Sequence, residues 1–326
     1  MLSVKENFLR TLRGDEPAFV PRFDLFWTVR PSVLDGTRRQ NRGRDIFGVE
    51  WTNDGSAVEA TMPKTSDFIL EDIRDWPEVI RFPDFSAVDF EALAKKDLGN
   101  RNPEWPLGSG TVAQGFFQSL MSFMGFTNGL IACYEEPEEV KALMQYLCDH
   151  YLNLAEDCLK YYKPDYIYFA DDIAHERNPF ISPETFRDIF APVWRRYIGF
   201  FKERGLPAIH HNCGHFEAFL DDVVDMGFNM WEPAQTSNDL VAVKKKYGNR
   251  LVIGGGLDTR TYLLPHLAFT EEGLRDAVKT TMDALAPGGG YCFMGGGGAR
   301  EPNPVIKQRW EWINDEYERR KATYYG

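Results

Sequence analysis

The chain has 326 residues, enough for one large barrel or two average domains. Its 43% hydrophobic and 26% charged residues exclude disorder and a coiled coil, and 14% aromatic residues point to a large core or a ring-lined pocket. A formal net charge of −12 argues against nucleic acid as a partner, since phosphate binding needs clustered Lys and Arg, and the sharpest basic cluster (Arg38, Arg39, Arg42, Arg44) reads as a solvated loop.

In chain order, Val4, Phe8, Leu9 and Leu12 are spaced for a helix over 3–13. This start has no apolar h-region, and no later run approaches the ~18 apolar residues of a membrane helix, so a cytoplasmic protein without a membrane span is expected. FVPRFDLFW (19–27) predicts a short buried strand, and 44–62 a hairpin turning at Asn53-Asp54-Gly55. The Pro- and Asp-rich stretch 63–105 predicts loop and short helices over one end of the fold. From 106 the chain becomes regular, and WPLGSGTVAQGF contains a Gly-rich strand.

Val140, Leu143, Met144, Leu147, Tyr151, Leu154, Cys158 and Leu159 then mark an amphipathic helix over 137–162. DYIYFADD is a strand. Ser182 and Pro183 start a helix that runs to about Arg204, with a bend at Pro192. The unit repeats through LPAIHHNCG, FNMWEPAQ, RLVIGGGLD and YCFMGGGG as strands, each followed by a helix, the last over 304–322. Alternating strands and helices mean a parallel sheet. No Gly-x-Gly-x-x-Gly opens the first strand–helix unit, which favours a (β/α)8 TIM barrel with an N-terminal helical and hairpin extension over a doubly wound sheet. All of 1–326 is read as one domain.

The five cysteines are odd in number and widely spaced, which does not suggest a disulfide framework. The densest chemical cluster is HHNCGH (210–215). Strand alternation turns His211 and Cys213 one way and His210 and Asn212 the other. Both lie at the strand's C-terminal end, the catalytic rim of a barrel. An imidazole and a thiolate side by side are half of a zinc site; the plainer reading is a buried thiol and a hydrogen-bonded core histidine.

A catalytic zinc usually has three protein ligands. Glu232, at the end of the next strand, is the favoured third, with Cys292 the other candidate although it packs as core. Asp171 and Asp172, a carboxylate pair on the rim, are the candidate catalytic residues, for acid–base work or for orienting substrate. Asp24, Gln114 and His175 are candidate substrate contacts. The glycine runs at 254–256 and 295–298 match no phosphate-binding loop and read as tight turns or close backbone approach.

The strings RDIFGVEW, ADDIAHERNPFISPETFRDIFAPVWRR, HHNCGH, FNMWEPAQ, KKKYGNRLVIGGGLD and LAPGGGY together resemble the uroporphyrinogen decarboxylase superfamily, closest to its corrinoid-dependent methyltransferase branch. The resemblance covers most of 44–300. It implies a (β/α)8 barrel with a deep cleft at the strand C-termini and a zinc held by His-x-Cys plus a distant Cys. His211 and Cys213 match the first two ligands; the distant Cys falls near Gly297, where this chain has no thiol. The resemblance also implies transfer of a methyl group between a small methylated substrate, of methoxy-aromatic or methylamine type, and a corrinoid carried by a partner protein, as in O-demethylation. It is compatible with a homodimer. The alternatives are a metal-free decarboxylase-like lyase, for which Arg22 and Arg30 do not reproduce the family's arginine motif, and a non-catalytic tetrapyrrole-binding barrel.

Overall fold

The structure, a computed structural model, describes residues 2–24, 27–38, 42–53, 61–112, 114–295 and 303–325. Helix α1 (Val4–Leu12) is capped by the Ser3 side chain, which accepts from Glu6 N. Short strands follow: β1 (Thr28–Val29), β2 (Gly43–Arg44), β3 (Glu50–Asn53) and β4 (Thr61–Pro63). Next come α2 (Trp76–Val79), α3 (Phe90–Leu98), β5 (Gly108–Ser109), α4 (Phe116–Met124), α5 (Phe126–Glu135) and α6 (Pro137–Tyr162).

The regular part continues with β6 (Tyr166–Ala170), α7 (Pro183–Thr185), α8 (Ala191–Lys202), β7 (Ala208–His211), α9 (Leu220–Met226), β8 (Met230–Ala234) and α10 (Leu240–Tyr247). It ends with β9 (Val252–Gly255), α11 (Thr259–Tyr262), α12 (Glu271–Leu285), β10 (Tyr291–Cys292) and α13 (Pro304–Arg320). A π-helical turn over Phe186–Phe190 joins α7 to α8 just ahead of Pro192.

Seven strands form one parallel sheet in the order β1-β5-β6-β7-β8-β9-β10. This order follows the chain without a reversal, so the sheet is not doubly wound. The sheet also curls. Residues 21–23 exchange hydrogen bonds with Phe293 (Phe23 N to Phe293 O, 3.0 Å; Phe293 N to Pro21 O, 2.8 Å), while β1, a few residues on, pairs with β5. Its two edges therefore share one segment. That segment is also held by α13 and the turn after it: Val20 N donates to Lys321 O and Tyr317 Oη to Val20 O. Seven strands stand among the described residues where eight were expected.

Among the described residues of the 19–27 expected as the N-terminal strand, Arg22 alone makes a bridge, and Trp27 N donates to Asp24 O. The expected hairpin is present as β3 antiparallel to β4, with Trp51 opposite Pro63 and Asn53 opposite Thr61; β2 adds a third strand. Asp54 and Gly55 lie outside the described residues.

The core has two compartments. Inward-facing Tyr166, Ile209, Met230, Val252 and Cys292 pack with Phe8 and Leu12 of α1, Phe23 and Trp27. The Lys5–Asp165 ion pair, just ahead of β6, places α1 at the N-terminal end of the strands. Outward-facing strand residues such as Ile167, Phe169 and Trp231 pack against the helices. The opposite, C-terminal end is left for side chains that are not sealed by α1. No helix among the described residues is long and apolar enough to cross a membrane.

Candidate metal centre

Parallel registry sets the site. Ala170 lies beside His211, and His211 beside Glu232. Alternation along β7 sends His210 outward among Phe169, Trp194, Phe216 and Phe228. Burial pushes its pKa down to about 3, helped by the neighbouring His211. Asn212 is also buried, and its Oδ1 accepts from Ile173 N at 3.0 Å. His211 and Cys213 face the other way, with His211 Nε2 3.7 Å from Cys213 Sγ.

The third member of this cluster is Asp172. Its Oδ1 lies 4.0 Å from His211 Nε2 and accepts from Cys213 N at 2.7 Å. One ligand atom each from Asp172, His211 and Cys213 falls within 4.8 Å of the others. Around a tetrahedral zinc, with Zn–S of about 2.3 Å and Zn–N of about 2.0–2.1 Å, ligand atoms stand roughly 3.3–3.6 Å apart. The 3.7 Å between His211 Nε2 and Cys213 Sγ is close to this spacing, and the three donors, within 4.8 Å of one another, would hold a zinc ion once Asp172 moved inward. Burial opposes charge on the His211 ring. The Glu232 carboxylate, hydrogen bonds with Cys213 and Glu232 and the charge of Asp172 outweigh it and hold its pKa well above the usual imidazole range. A metal bound there would displace a proton.

Glu232 stands behind His211 rather than beside Cys213. Its Oε1 is 2.8 Å from His211 Nδ1, the nitrogen turned away from the thiol, and its side chain is fully buried. It is not among the three clustered ligands. Tyr168 Oη reaches the same Nδ1 at 2.9 Å. Gly254, on β9, makes room for this group: a Cβ there would lie 2.2 Å from Met230 Cε and 2.9 Å from Glu232 Cβ.

Cys292, the other proposed ligand, is sealed in the inner core with Phe8, Phe23 and Met230, and burial holds its thiol pKa well above the usual range. It too stands apart from the cluster. Gly297, where the resemblance places a distant ligand, lies outside the described residues.

The two aspartates divide. Asp171 is fully buried and accepts from Phe117 N, Gln118 N and Trp194 Nε1, each at 3.0 Å. It joins the end of β6 to the N-terminus of α4, and Gly115 is required beside it because a Cβ would sit 2.2 Å from its Cγ. Burial raises its pKa to about 7 against those three donors. With every donor internal, Asp171 holds structure, and the geometry gives it no access to a substrate.

Among the candidate substrate contacts, Gln114 lines a recess of about 310 Å³ with Thr28, Arg30, Gln118 and Tyr168. Asp24 is instead paired with Arg22 at 3.0 Å, and His175 is exposed on the loop after β6. A second recess of about 310 Å³ is lined by Cys213, Gln235, Asp258, Arg260 and Met294. Tyr168 lines the first recess and Cys213 the second, and both touch His211, so the cluster stands between the two. Gln235 closes the turn after Cys213 by accepting from Gly214 N at 2.8 Å. Tyr168, Gln118 and Gln235 are site residues that sequence reasoning missed. For Tyr168 the signal was present: it shares the inward face of β6 with Ala170, and the same period of two leads to Asp172 and away from Asp171.

A curled parallel sheet with three ligand-capable side chains at the C-terminal ends of adjacent strands is the arrangement of a barrel-type metal site. The uroporphyrinogen decarboxylase (URO-D) family matches residues 92–304, and the chain belongs to that family. A curated relative, the methylcobamide:CoM methyltransferase MtaA of Methanosarcina barkeri, is 29% identical over 131 residues. The match spans 40% of this chain and 37% of that protein. A solved methyltransferase from Methanosarcina mazei superposes with a TM-score of 0.69 over 98% of this chain and 99% of its own, at 15% identity, which is a likeness of fold.

Proposed function

We propose that this protein is a zinc-dependent, corrinoid-dependent methyltransferase. In this reading it moves a methyl group between a small methylated substrate, of methoxy-aromatic or methylamine type, and a corrinoid protein. The observation that carries the reading is the convergence of Asp172, His211 and Cys213 donor atoms within 4.8 Å, with a recess on either side. The methylcobamide methyltransferase among its relatives supports the same chemistry. The reading takes 1–326 as one URO-D-like barrel domain, working in the cytoplasm.

Zinc held by these residues would supply a Lewis acid that polarises a heteroatom bearing the methyl group or lowers the pKa of an acceptor thiol. Asp172, assigned to acid–base work from the sequence, becomes the third ligand here in place of Glu232 or Cys292. Gln114 and Gln118 present amides along the first recess and orient the substrate. The metal-free decarboxylase reading is weakened by the two N-terminal arginines. Arg22 is held by Asp24 and Asn314, and Arg30 is paired with Asp35, so neither is left for substrate carboxylates.

The experiment is methyl transfer assayed with a corrinoid protein and a panel of methoxy-aromatic and methylamine donors, with and without zinc. Turnover that needs both is expected. Turnover indifferent to zinc, or turnover on a porphyrinogen instead, would overturn the proposal.

A further inference from the structure

The side of His211 that faces away from Cys213 carries a second arrangement, made by Tyr168 and Glu232. Glu232 Oε1 and Tyr168 Oη lie 2.8 and 2.9 Å from the same atom, His211 Nδ1. A carboxylate only accepts hydrogen bonds, and a bare nitrogen lone pair at 2.8 Å from it would be repelled. Nδ1 therefore carries a proton and donates to Glu232. The Tyr168 hydroxyl, beside both groups, also donates to the Glu232 carboxylate.

Glu232 has nowhere else to turn. It is fully buried, and its Oε2 has no hydrogen-bond partner among the described residues. Its Cβ is packed against Gly254, where a methyl group could not fit. Its polar contacts are the His211 ring and the Tyr168 hydroxyl, and the carboxylate fixes which ring nitrogen is protonated.

We propose that Glu232 and Tyr168 are a positioning pair: Glu232 holds the proton on His211 Nδ1 and Tyr168 braces the Glu232 carboxylate, so that Nε2 offers its lone pair toward Cys213 and Asp172. This rests on the reading that Nε2 faces a metal. It gives Glu232 a role different from direct ligation and gives Tyr168 a role as its brace. Partners of this kind orient a ligand ring and raise its basicity, and losing them typically lowers metal affinity 10–100-fold.

The test is ¹⁵N NMR of histidine-labelled, zinc-free protein at a pH where the ring is neutral, with the His211 signal identified by its loss in His211→Gln. Zinc affinity is measured alongside by competition with a chelator. Wild type is expected to show a protonated Nδ1 and an unprotonated Nε2. In Glu232→Leu only the Tyr168 hydroxyl remains to donate to Nδ1, so the proton is expected to move to Nε2 and zinc affinity to fall about 10–100-fold. Glu232→Gln, which keeps the volume, is expected to show a mixture of both forms and a smaller loss. Tyr168→Phe is expected to keep the Nδ1 proton with a loss of a few-fold. The proposal is overturned if wild type carries the proton on Nε2, or if both Glu232 variants keep the wild-type proton position. Wild type with a protonated Nδ1 but no zinc binding would support the positioning pair and overturn the metal reading instead.

Discussion

Asp171 and Asp172 are neighbours in the chain and end in opposite compartments. Asp171 is sealed among Phe117 N, Gln118 N and Trp194 Nε1, whereas Asp172, with its side chain 30% exposed, meets Cys213 N and His211. One step along a strand end is enough, because successive side chains leave on opposite faces. The two should therefore respond differently to the same substitution.

Asp172→Ala and Cys213→Ala are each expected to lose zinc. Wild type should bind about one zinc per chain, the number suited to three ligands and an open position. Cys292→Ala should keep the metal, since that thiol lies in the inner core. Elemental analysis of freshly purified protein checks all four, and retention of zinc by Cys213→Ala would remove this site from consideration.

Asp171→Asn is expected to destabilise the fold by about 1–3 kcal/mol while zinc content stays unchanged, because the amide keeps one accepting oxygen and sets its NH2 against at least one of the three existing donors. Denaturant unfolding with metal analysis measures both. An unaltered midpoint, or a stable variant without zinc, contradicts the structural role.

Gly254→Ala places a methyl group where Met230 and Glu232 already stand. Met230 can swing its end away, but the Glu232 Cβ cannot move without shifting its carboxylate from His211. A stability loss of about 1–3 kcal/mol is expected from overpacking, with zinc affinity falling as well. Wild-type affinity in a folded variant would show that the Glu232 position is not critical.

Lys244 gives a pH signature away from the site. Its Nζ donates to Gly289 O, and burial lowers its pKa from 10.5 to about 8. Between those values the unfolded chain binds more protons than the folded one, so this group makes stability rise with pH from about 8 to 10.5. Below that window it is charged in both states and adds no slope. Stability of wild type relative to Lys244→Met should therefore improve across the window. Parallel stability curves for the two proteins would contradict it.

Much of this was legible in the sequence. The period-3.6 stripe of α6, the Ser182 cap and the repeated strand–helix units state local preferences that tertiary packing did not override. The facing of His211 and Cys213 followed from alternation alone. What stayed hidden depends on registry between strands. Which residue of β8 lies beside His211, and on which side of its ring, is set by hydrogen bonding across β7 and β8 and leaves no local pattern. Glu232 was read as a third ligand, whereas its carboxylate lies 2.8 Å from His211 Nδ1, on the side away from Cys213. Asp171 and Asp172 could have been separated by counting from Tyr168. The sealing of Asp171 by α4 and Trp194 could not, since it joins residues far apart in the chain.

The segment around Val20–Phe23 takes its partners from Phe293, Tyr317 and Lys321; the Tyr317–Val20 bond alone joins positions 297 apart. During synthesis this segment leaves the ribosome 297 residues ahead of Tyr317 and waits for its partners. Contacts of such long separation slow folding. A nascent chain must hold an incomplete, open-edged sheet until translation has passed Lys321, and that interval is when a chaperone would matter most to this protein.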